Sequence, residues 1–350
     1  MRVAILRTQV PFITGGAESL ASDFKAQLEA RSIGGTPIEA DVVTLPFLWY
    51  PPLEVVNQVM LWRLLNLREV DGKPIDLVIP LKFPTYFVQH SNVRPWLMHQ
   101  HRQAYDLYET PFGDLHQTAE GRDVATYIRE LDTTVLTGLP IKVISTTVRD
   151  RLLHYNKISS DVLYPPPPDV QRYEKSDDFR DFILAPGRLD GIKRQDLLIN
   201  ALVQFPQLKA VIIGDGPRRD DWQILIDSQG LSDRIRILGQ VDVSEKVRLY
   251  KSCLAVYNAP YNEDYGLITV EAFLSGKPVL TTNDSGGVLE FVRDELTGVV
   301  GRPDVSGVVD ALDRLVSGGG KHVKILGDRA YQAIRELDIT WDHVIRELLS

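Results

Sequence analysis

Short apolar runs alternate with helical patterns along the chain, and four prolines at residues 165–168 interrupt this alternation once. Alternating strands and helices favour a parallel sheet covered by helices. A proline run cannot continue a helix or a central strand, and it is extended and stiff. We therefore predict an α/β protein of two Rossmann-like domains that face a cleft, with the first domain at 1–165 and the second at 166–334.

The apolar pattern also predicts the individual elements. In the first half we expect strands at 3–6, 42–45, 75–80, 96–98 and 141–145, and helices at 18–30, 53–67 and 148–155. In the second half we expect strands at 182–185, 210–213, 236–238, 254–257 and 278–281, and helices at 195–204, 220–228, 245–251 and 267–274. A loop is predicted at 317–320 and a final helical stretch at 327–349.

Composition disfavours several classes of protein. The 350 residues are 44% hydrophobic and 25% charged, which is typical of globular domains rather than disordered chains. The 39 Lys and Arg residues against 47 Asp and Glu give a net charge of -8. This charge argues against a nucleic-acid partner but leaves room for a local basic pocket.

One cysteine, Cys253, lies in an apolar stretch, and we interpret it as a small core residue. A single cysteine forms no internal disulfide, which suits a reducing compartment. No segment reaches the roughly 18 uncharged apolar residues of a membrane span. We expect a cytoplasmic protein, and peripheral contact with a membrane surface stays open.

Two glutamates, Glu263 and Glu271, flank a predicted strand-to-helix turn at Gly266. Backbone N–H groups at a helix start can hold an anion, and carboxylates accept hydrogen bonds from sugar hydroxyls. The alternative is a solvated pair of glutamates at the start of a helix.

Two cations, Arg188 and Lys193, follow the predicted strand at 182–185. In open α/β sheets ligands gather at the carboxyl ends of strands, and these two side chains could neutralise a diphosphate. The alternative is two cations on a surface loop.

Glycine-rich turns follow two other predicted strands. Thr14-Gly15-Gly16 and Gly214-Asp215-Gly216-Pro217 could each approach a phosphate closely. Neither matches Gly-x-Gly-x-x-Gly, so NAD binding is weakly supported, and either turn could simply cap a helix.

Three histidines, His90, His99 and His101, cluster within residues 89–102. No Cys, Asp or Glu cluster completes a metal site at a recognised spacing, so we predict none. A histidine at a strand end could instead bond a substrate hydroxyl. The same stretch is aromatic and basic, and we interpret His101, Arg102 and Tyr105 as candidate acceptor contacts.

In this order, the motifs resemble the family-4 glycosyltransferases with the GT-B fold. The resemblance is specific over about 182–290, with a looser match at Gly15-Gly16 and one histidine. Its motifs in the second domain are Gly187-Arg188-x4-Lys193, Gly214-Asp215-Gly216-Pro217, Leu238-Gly239, Glu263-x7-Glu271 and Gly286-Gly287 with Glu290. In that fold a final helix, here about 335–350, crosses back onto the first domain.

The resemblance implies a retaining, metal-independent transfer of a sugar from a UDP- or GDP-sugar to a hydroxyl, with no cofactor. The acceptor could be a carbohydrate, a glycolipid or a small molecule. By the family pattern, Arg188 and Lys193 stabilise the diphosphate leaving group, and Glu263 holds donor-sugar hydroxyls. His99 or His101 contacts the donor sugar. The remaining donor-binding positions are Gly15, Gly16, Gly214, Val241, Gly266, Leu267 and Glu271.

The sequence departs from the family pattern beside the site. Asp264-Tyr265-Gly266 stands where Gly-Phe-Gly is commoner, and Arg194 replaces a small residue and could add a phosphate contact. A nucleotide-sugar epimerase on the same fold, or a non-catalytic sugar-nucleotide-binding subunit, is the alternative. The presence of the motif cations and both glutamates favours a catalytic transferase.

Overall fold

In the computed structural model, which describes residues 1–12 and 15–350, the chain divides into two compact units. The first comprises Met1–Pro168 together with Ile339–Ser350, and the second comprises Asp169–Asp338. Thr14, which opens the first glycine-rich turn, lies outside the described residues. Both units are built on parallel sheets, so the predicted α/β class is confirmed.

The described residues of the first unit form two three-stranded parallel sheets and two short antiparallel ribbons. Its strands are β1 (Arg2–Gln9), β2 (Ser32–Ile33), β3 (Thr36–Pro37), β4 (Glu39–Pro46), β5 (Glu69–Val70), β6 (Lys73–Pro74), β7 (Leu77–Pro80), β8 (Trp96–Leu97), β9 (Lys142–Val143) and β10 (Asp161–Val162). The sheet orders are β4-β1-β7 and β10-β9-β8. A parallel bridge between Lys82 and His99 connects the chain after β7 with the chain after β8.

Among the described residues before the proline run, the α-helices are α1 (Gly16–Glu29), α2 (Leu53–Leu64), α3 (Ala119–Leu136) and α4 (Thr146–Asn156). The sequence pattern did not reveal α3, the longest of them. Its apolar stripe is broken by Asp132, which is completely buried. A charged residue within the buried face conceals the helical period, because that period is recognised from apolar residues.

The second unit is a six-stranded parallel sheet with helices. Its strands are β11 (Phe182–Pro186), β12 (Lys209–Ile213), β13 (Ile235–Gly239), β14 (Ala255–Tyr257), β15 (Val279–Thr282) and β16 (Gly298–Gly301). Its helices are α5 (Gln195–Ala201), α6 (Arg219–Ser228), α7 (Val243–Ser252), α8 (Leu267–Leu274), α9 (Val305–Ser317) and α10 (Gly319–Glu336). Cys253 is fully buried, as expected of a small core residue.

The last helix, α11 (Trp341–Leu349), belongs to the first unit. Trp341 stacks on Phe24 of α1 with ring centroids 5.8 Å apart, and Arg31 forms an ion pair with Asp342 at 2.5 Å. Aromatic burial of this kind fixes a helix against a core. The expected return of the final helix to the first domain is confirmed.

Two predictions near the C-terminus are wrong. The predicted loop at 317–320 is almost entirely helical, because only Gly318 separates α9 from α10. The predicted single helical stretch at 327–349 is two helices, and the chain between them is extended at Leu337. Thr340 then caps α11 by accepting a hydrogen bond from the His343 N–H at 3.2 Å.

Candidate functional site

The strand order of the second unit marks one place where a ligand can bind. The order is β13-β12-β11-β14-β15-β16, so the connections run outward from β11 in one direction and then from β14 in the other. In open parallel sheets ligands bind outside the carboxyl ends of the strands at this reversal. The loops after β11 and β14 carry Arg188, Lys193 and Glu263, three of the predicted site residues.

A backbone hydrogen bond joins these two loops, because the Tyr261 N–H donates to the Ile192 carbonyl at 2.8 Å. The Glu263 N–H donates to the Ser285 carbonyl at 3.2 Å, which connects the loop after β14 with the loop after β15. The Lys193 ammonium forms a charge-assisted hydrogen bond with the Glu263 carboxylate, although the two residues are 70 positions apart. The structure therefore brings the predicted phosphate-binding lysine and the predicted sugar-binding glutamate into direct contact.

The charges in this cluster are balanced and partly open to solvent. Arg188 Nε lies 3.7 Å from an oxygen of Asp190, whose other oxygen accepts a hydrogen bond from the Lys193 N–H at 3.1 Å. Burial raises the pKa of Asp190, against the lowering effect of Lys193 and Arg188. The Arg188 side chain is 46% exposed, and those of Lys193 and Glu263 are 21% and 25% exposed. Two cations and two carboxylates therefore stand where a ligand could exchange partners with them.

Glycines shape the loop that carries Arg188. Gly214 has a φ of +122°, and a Cβ atom there would lie 2.0 Å from the Gly187 carbonyl oxygen. At Gly216 a Cβ atom would lie 2.3 Å from the Leu189 carbonyl oxygen. The turn after β12 thus packs directly against the loop after β11, and side chains at these two positions would displace it. This close packing explains why position 214 requires a glycine, whether or not the residue contacts a donor.

Gly266 and Val241 each lie at the start of a helix. Gly266 precedes Leu267, the first residue of α8, with a φ of 79°, and a Cβ atom there would lie 3.0 Å from the Val288 Cα. Val241 is half-buried and directly precedes Asp242, whose side chain caps α7. Both positions border helix N-termini, where backbone N–H groups are available to an anion.

Glu271 is placed differently from Glu263. It lies in α8, it is 1% exposed, and its carboxylate accepts hydrogen bonds from the Lys246 ammonium at 2.5 Å and the Tyr250 hydroxyl at 2.7 Å. Burial and the negative charge of Glu271 raise the pKa values of Tyr173 and Tyr250. Glu271 is therefore held by partners inside the second unit, whereas Glu263 pairs with Lys193.

Arg194 organises the loop after β14, a role that the sequence did not indicate. Its guanidinium donates to the carbonyls of Ala259 and Pro260 at 2.9 Å, and to both oxygens of Asp284 at 2.8 and 2.7 Å. Burial raises the pKa of Asp284, but bonds from Arg194 and Thr282 lower it overall. The suggested phosphate contact of Arg194 stays a prediction, and in this structure the guanidinium binds these acceptors instead.

In the first unit, Gly15 and Gly16 begin α1. The Gly15 N–H donates to Glu18 Oε2 at 2.9 Å. The other oxygen of Glu18 lies 3.2 Å from an Arg7 nitrogen and 3.9 Å from the Lys82 ammonium. Sequence reasoning missed Arg7 and Lys82. The sequence could have indicated them only as single cations, Arg7 near the end of the apolar β1 and Lys82 just after the apolar β7.

The two candidate histidines occupy different environments. His99 is half-buried, and its Nδ1 donates to the Gln100 carbonyl at 2.7 Å. His101 is 8% exposed, and its ring packs against Phe47 and Phe83. Burial lowers the pKa of His101 to about 3, so this imidazole is neutral at pH 7. His101 thus behaves as a core residue.

The two other candidate acceptor residues are engaged inside the unit. Arg102 donates to Asp106 Oδ2 at 2.6 and 3.0 Å. Tyr105 is 1% exposed, and its hydroxyl donates to Asp132 at 2.7 Å. Burial raises the pKa of Asp132 to about 7. Tyr105 therefore anchors α3 to the core and presents no ring face to a ligand.

The described part of the chain contains no group of three or more His, Cys, Asp or Glu side chains arranged to hold a metal ion. It also contains no helix whose length and apolarity would suffice to cross a bilayer.

Residues 169–333 match the family described as glycosyl transferases group 1. A D-inositol 3-phosphate glycosyltransferase of Mycobacterium sp. (strain KMS) is 32% identical over 140 residues, which cover 38% of this chain and 31% of the relative. A protein of the same name from Nocardia farcinica (strain IFM 10152) is 29% identical over 209 residues, 53% of this chain and 46% of the relative. The matched regions thus span a third to a half of these relatives.

Solved structures share the fold over the whole chain. Sucrose-phosphate synthase from Thermosynechococcus elongatus superimposes with a TM-score of 0.76 at 17% identity, covering 99% of this chain and 96% of that one. Anabaena Alr3699/HepE in complex with UDP and glucose superimposes with a TM-score of 0.72 at 17% identity, covering 100% of this chain and 99% of that one. The chain therefore has the fold of GT-B glycosyltransferases, and the match to the glycosyl transferases group 1 family lies within its second unit.

Proposed function

We propose that this protein is a retaining glycosyltransferase that moves a sugar from a UDP- or GDP-sugar to a hydroxyl acceptor without a metal ion. One observation carries the proposal: Arg188 and the Lys193–Glu263 pair meet at the strand-order reversal of the second unit. A nucleotide-sugar offers that cluster a diphosphate and several hydroxyls, which are the partners that two cations and a carboxylate require. The glycosyl transferases group 1 match covers these residues.

The proposed mechanism follows from the charges. As the glycosidic bond to the donor breaks, negative charge grows on the β-phosphate of the leaving nucleoside diphosphate. Arg188 and Lys193 stabilise this charge, because preorganised cations act most strongly where charge develops. Glu263 leaves Lys193 and accepts hydrogen bonds from the donor-sugar hydroxyls. The ion pair between the two residues keeps both side chains in place until the donor arrives.

We further propose that Glu271 bonds the ribose hydroxyls and that His99, rather than His101, contacts the donor sugar. The burial of His101 and its aromatic neighbours support the choice of His99. For Glu271, the present bonds from Lys246 and Tyr250 fix the carboxylate, and each of its oxygens has a further lone pair that can accept a ribose hydroxyl.

Retention is proposed to proceed on one face of the sugar, with the departing phosphate helping to deprotonate the acceptor. A double displacement would need a carboxylate on the opposite face of the sugar. Trapping a covalent glycosyl-enzyme by mass spectrometry would contradict the same-face route.

The test is a transfer reaction in EDTA with UDP-glucose, UDP-galactose and GDP-mannose as donors and a panel of sugar acceptors. We expect release of one nucleoside diphosphate together with a product that keeps the donor's anomeric configuration by NMR. An inverted product would contradict retention. A product that forms only with added Mg²⁺ would contradict metal independence. Conversion of the donor sugar without any new glycosidic bond would instead indicate an epimerase.

A further inference from the structure

We propose that Lys246 is a positioning residue for the nucleotide: its ammonium holds the Glu271 carboxylate ionised and in place, so that the protein selects ribonucleotides over 2′-deoxyribonucleotides. The inference rests on the proposed function, in which Glu271 bonds the ribose hydroxyls. It concerns a second residue, which acts on the ribose through Glu271, and it depends on contacts within the second unit.

Two neighbouring helices bring Lys246 and Glu271 together near the carboxyl edge of the sheet. Lys246 is the fourth residue of α7, which follows β13, and Glu271 is the fifth residue of α8, which follows β14. Both helices begin where a parallel strand has ended, so each residue lies about one turn from the edge where ligands of open α/β sheets bind. The Lys246 ammonium donates to Glu271 Oε1 at 2.5 Å.

Two phenols complete the surroundings of this carboxylate. The Tyr250 hydroxyl donates to Glu271 Oε2 at 2.7 Å, and the Tyr173 ring packs edge-on against the Tyr250 ring with centroids 5.7 Å apart. Burial raises the pKa of Tyr173, and the charge of Glu271 and a hydrogen bond with it raise that pKa further. Burial and the charge of Glu271 also raise the pKa of Tyr250. Both phenols therefore stay protonated, and the positive charge beside the carboxylate comes from Lys246.

A carboxylate buried to this degree depends on a cation to remain ionised. Glu271 is 1% exposed, and burial without a positive neighbour favours the protonated form of a carboxyl group. An ionised carboxylate accepts hydrogen bonds at both oxygens, whereas protonation makes one oxygen a donor. The Lys246 ammonium thus preserves the state in which Glu271 can accept the hydroxyls of a ribose.

The exposure of the partners indicates the side from which a ribose reaches Glu271. Tyr250 is completely buried and Tyr173 is 8% exposed, but the Lys246 side chain is 31% exposed. The four-carbon stem of a lysine is flexible, so the ammonium can make room for a hydroxyl and stay beside the carboxylate. A site built to bond a hydroxyl rejects an analogue that lacks it, because a buried acceptor is then left without its partner.

This pair differs from the ion pair of Lys193 and Glu263. Those two side chains are 21% and 25% exposed, so a ligand can reach both members and exchange with each. In the pair of Lys246 and Glu271 only the ammonium is open to solvent. The difference assigns Lys246 to holding the carboxylate rather than to binding the diphosphate.

The experiment measures the binding of UDP and 2′-deoxy-UDP, and of GDP and 2′-deoxy-GDP, to the full chain by calorimetry in EDTA. The readout is the ratio of the two dissociation constants for the base that binds. We expect the wild type to favour the ribonucleotide about tenfold or more, as for a hydroxyl bonded to a charged acceptor. Lys246→Met and Lys246→Gln, two neutral variants, should bring the ratio close to one. Lys246→Arg keeps the charge and should retain most of the preference.

Three further variants separate positioning from other effects. Lys251→Met is the matched control, because Lys251 lies in the same helix and pairs with Glu174 at 2.7 Å. Arg188→Ala should weaken the binding of both nucleotides equally, since both carry the diphosphate. Glu271→Gln should remove the preference for ribose by itself, and adding Lys246→Met to it should change the ratio no further. Circular dichroism confirms that each variant is folded.

Three results would overturn the proposal: a wild type that binds both sugars equally, a ratio that the neutral variants at Lys246 leave unchanged, or a further change when Lys246→Met is added to Glu271→Gln. In each of these cases a nucleotide still binds, and the proposed donor site stands. If neither UDP nor GDP binds the wild type, the proposed function fails together with this inference.

Discussion

The carboxyl edges of the two units differ in how their cations are balanced. In the second unit each cation near the candidate site has a carboxylate neighbour of its own, as the pairs Arg188–Asp190, Lys193–Glu263, Arg194–Asp284 and Lys246–Glu271 show. In the first unit Arg7 and Lys82 share Glu18. Ion pairs that are already formed hold charged side chains in position until a ligand exchanges with them. The cluster of the first unit instead holds two cations near a single carboxylate.

The largest expected effect comes from Arg188→Ala, which removes the most exposed cation of the second unit's cluster. Loss of one preorganised charge contact in the transition state reduces kcat about 10²–10³-fold. The measurement is the rate of nucleoside diphosphate release with an acceptor present. Arg248→Ala is the control, since Arg248 is also ion-paired and is 62% exposed. Near-normal turnover of Arg188→Ala would show that the Arg188 guanidinium does not act in catalysis.

Glu263→Gln sharpens the comparison, because it removes one charge from a balanced pair. We expect kcat to fall about 10–100-fold, since the donor-sugar hydroxyls lose a charged acceptor. The affinity for free nucleoside diphosphate should stay equal or increase, because Lys193 loses its competing partner. Calorimetry and steady-state rates measure the two quantities separately. A parallel loss of nucleotide affinity would contradict this account and would show that Glu263 mainly holds Lys193 in position for the diphosphate.

Gly214→Ala tests whether the Arg188 loop depends on close packing. The new Cβ would lie 2.0 Å from the Gly187 carbonyl oxygen, so we expect a loss of about 1–3 kcal/mol beyond that of the control. Gly230→Ala is the matched control, with a φ of +67° and open space around its Cβ. Thermal unfolding measures both variants. Equal shifts in Tm would show that only backbone strain matters at Gly214.

His101→Gln probes the first unit through pH. The pKa of His101 is lowered to about 3 in the folded state, whereas an unfolded chain has the ordinary histidine pKa of about 6.5. Below about pH 6.5 the unfolded chain therefore binds more protons at this residue than the folded chain does. The contribution of the neutral His101 to the free energy of unfolding is therefore fully present above about pH 6.5, and it is lost as the pH falls from there toward 3. Between pH 7 and pH 5, the free energy of unfolding of the variant should decrease by about 1–2 kcal/mol less than that of the wild type. Urea unfolding at the two pH values measures this difference, and equal losses would contradict the burial of a neutral imidazole.

The sequence predicted a helix or strand well where a regular apolar spacing defines the element and a glycine or proline marks its end. The helix at 267–274 is found with the predicted bounds, because Gly266 ends the preceding loop and the apolar run follows at once. The helix α3 was missed because Asp132 is stabilised by Tyr105, a residue 27 positions away. Contacts at such separations leave no trace in a local pattern.

The candidate site was predictable to the same degree. Arg188, Lys193 and Glu263 were identified as motif residues, but their pairing depends on loops joined across the sheet. Arg7 and Lys82 were missed because each is a single charge in an apolar segment, and only the register of β1 with β7 brings them together.

The most direct test of the balanced cluster is calorimetric binding of UDP, GDP and ADP to the wild-type chain in EDTA. The account predicts that one nucleotide binds without a metal ion and that Arg188→Ala weakens its binding at least tenfold, while Arg248→Ala does not. At about 100 times its dissociation constant, that nucleotide should stabilise the wild type by roughly 2.7 kcal/mol. Binding of none of the three, or binding unaffected by Arg188→Ala, would contradict the assignment of this edge to a nucleoside diphosphate.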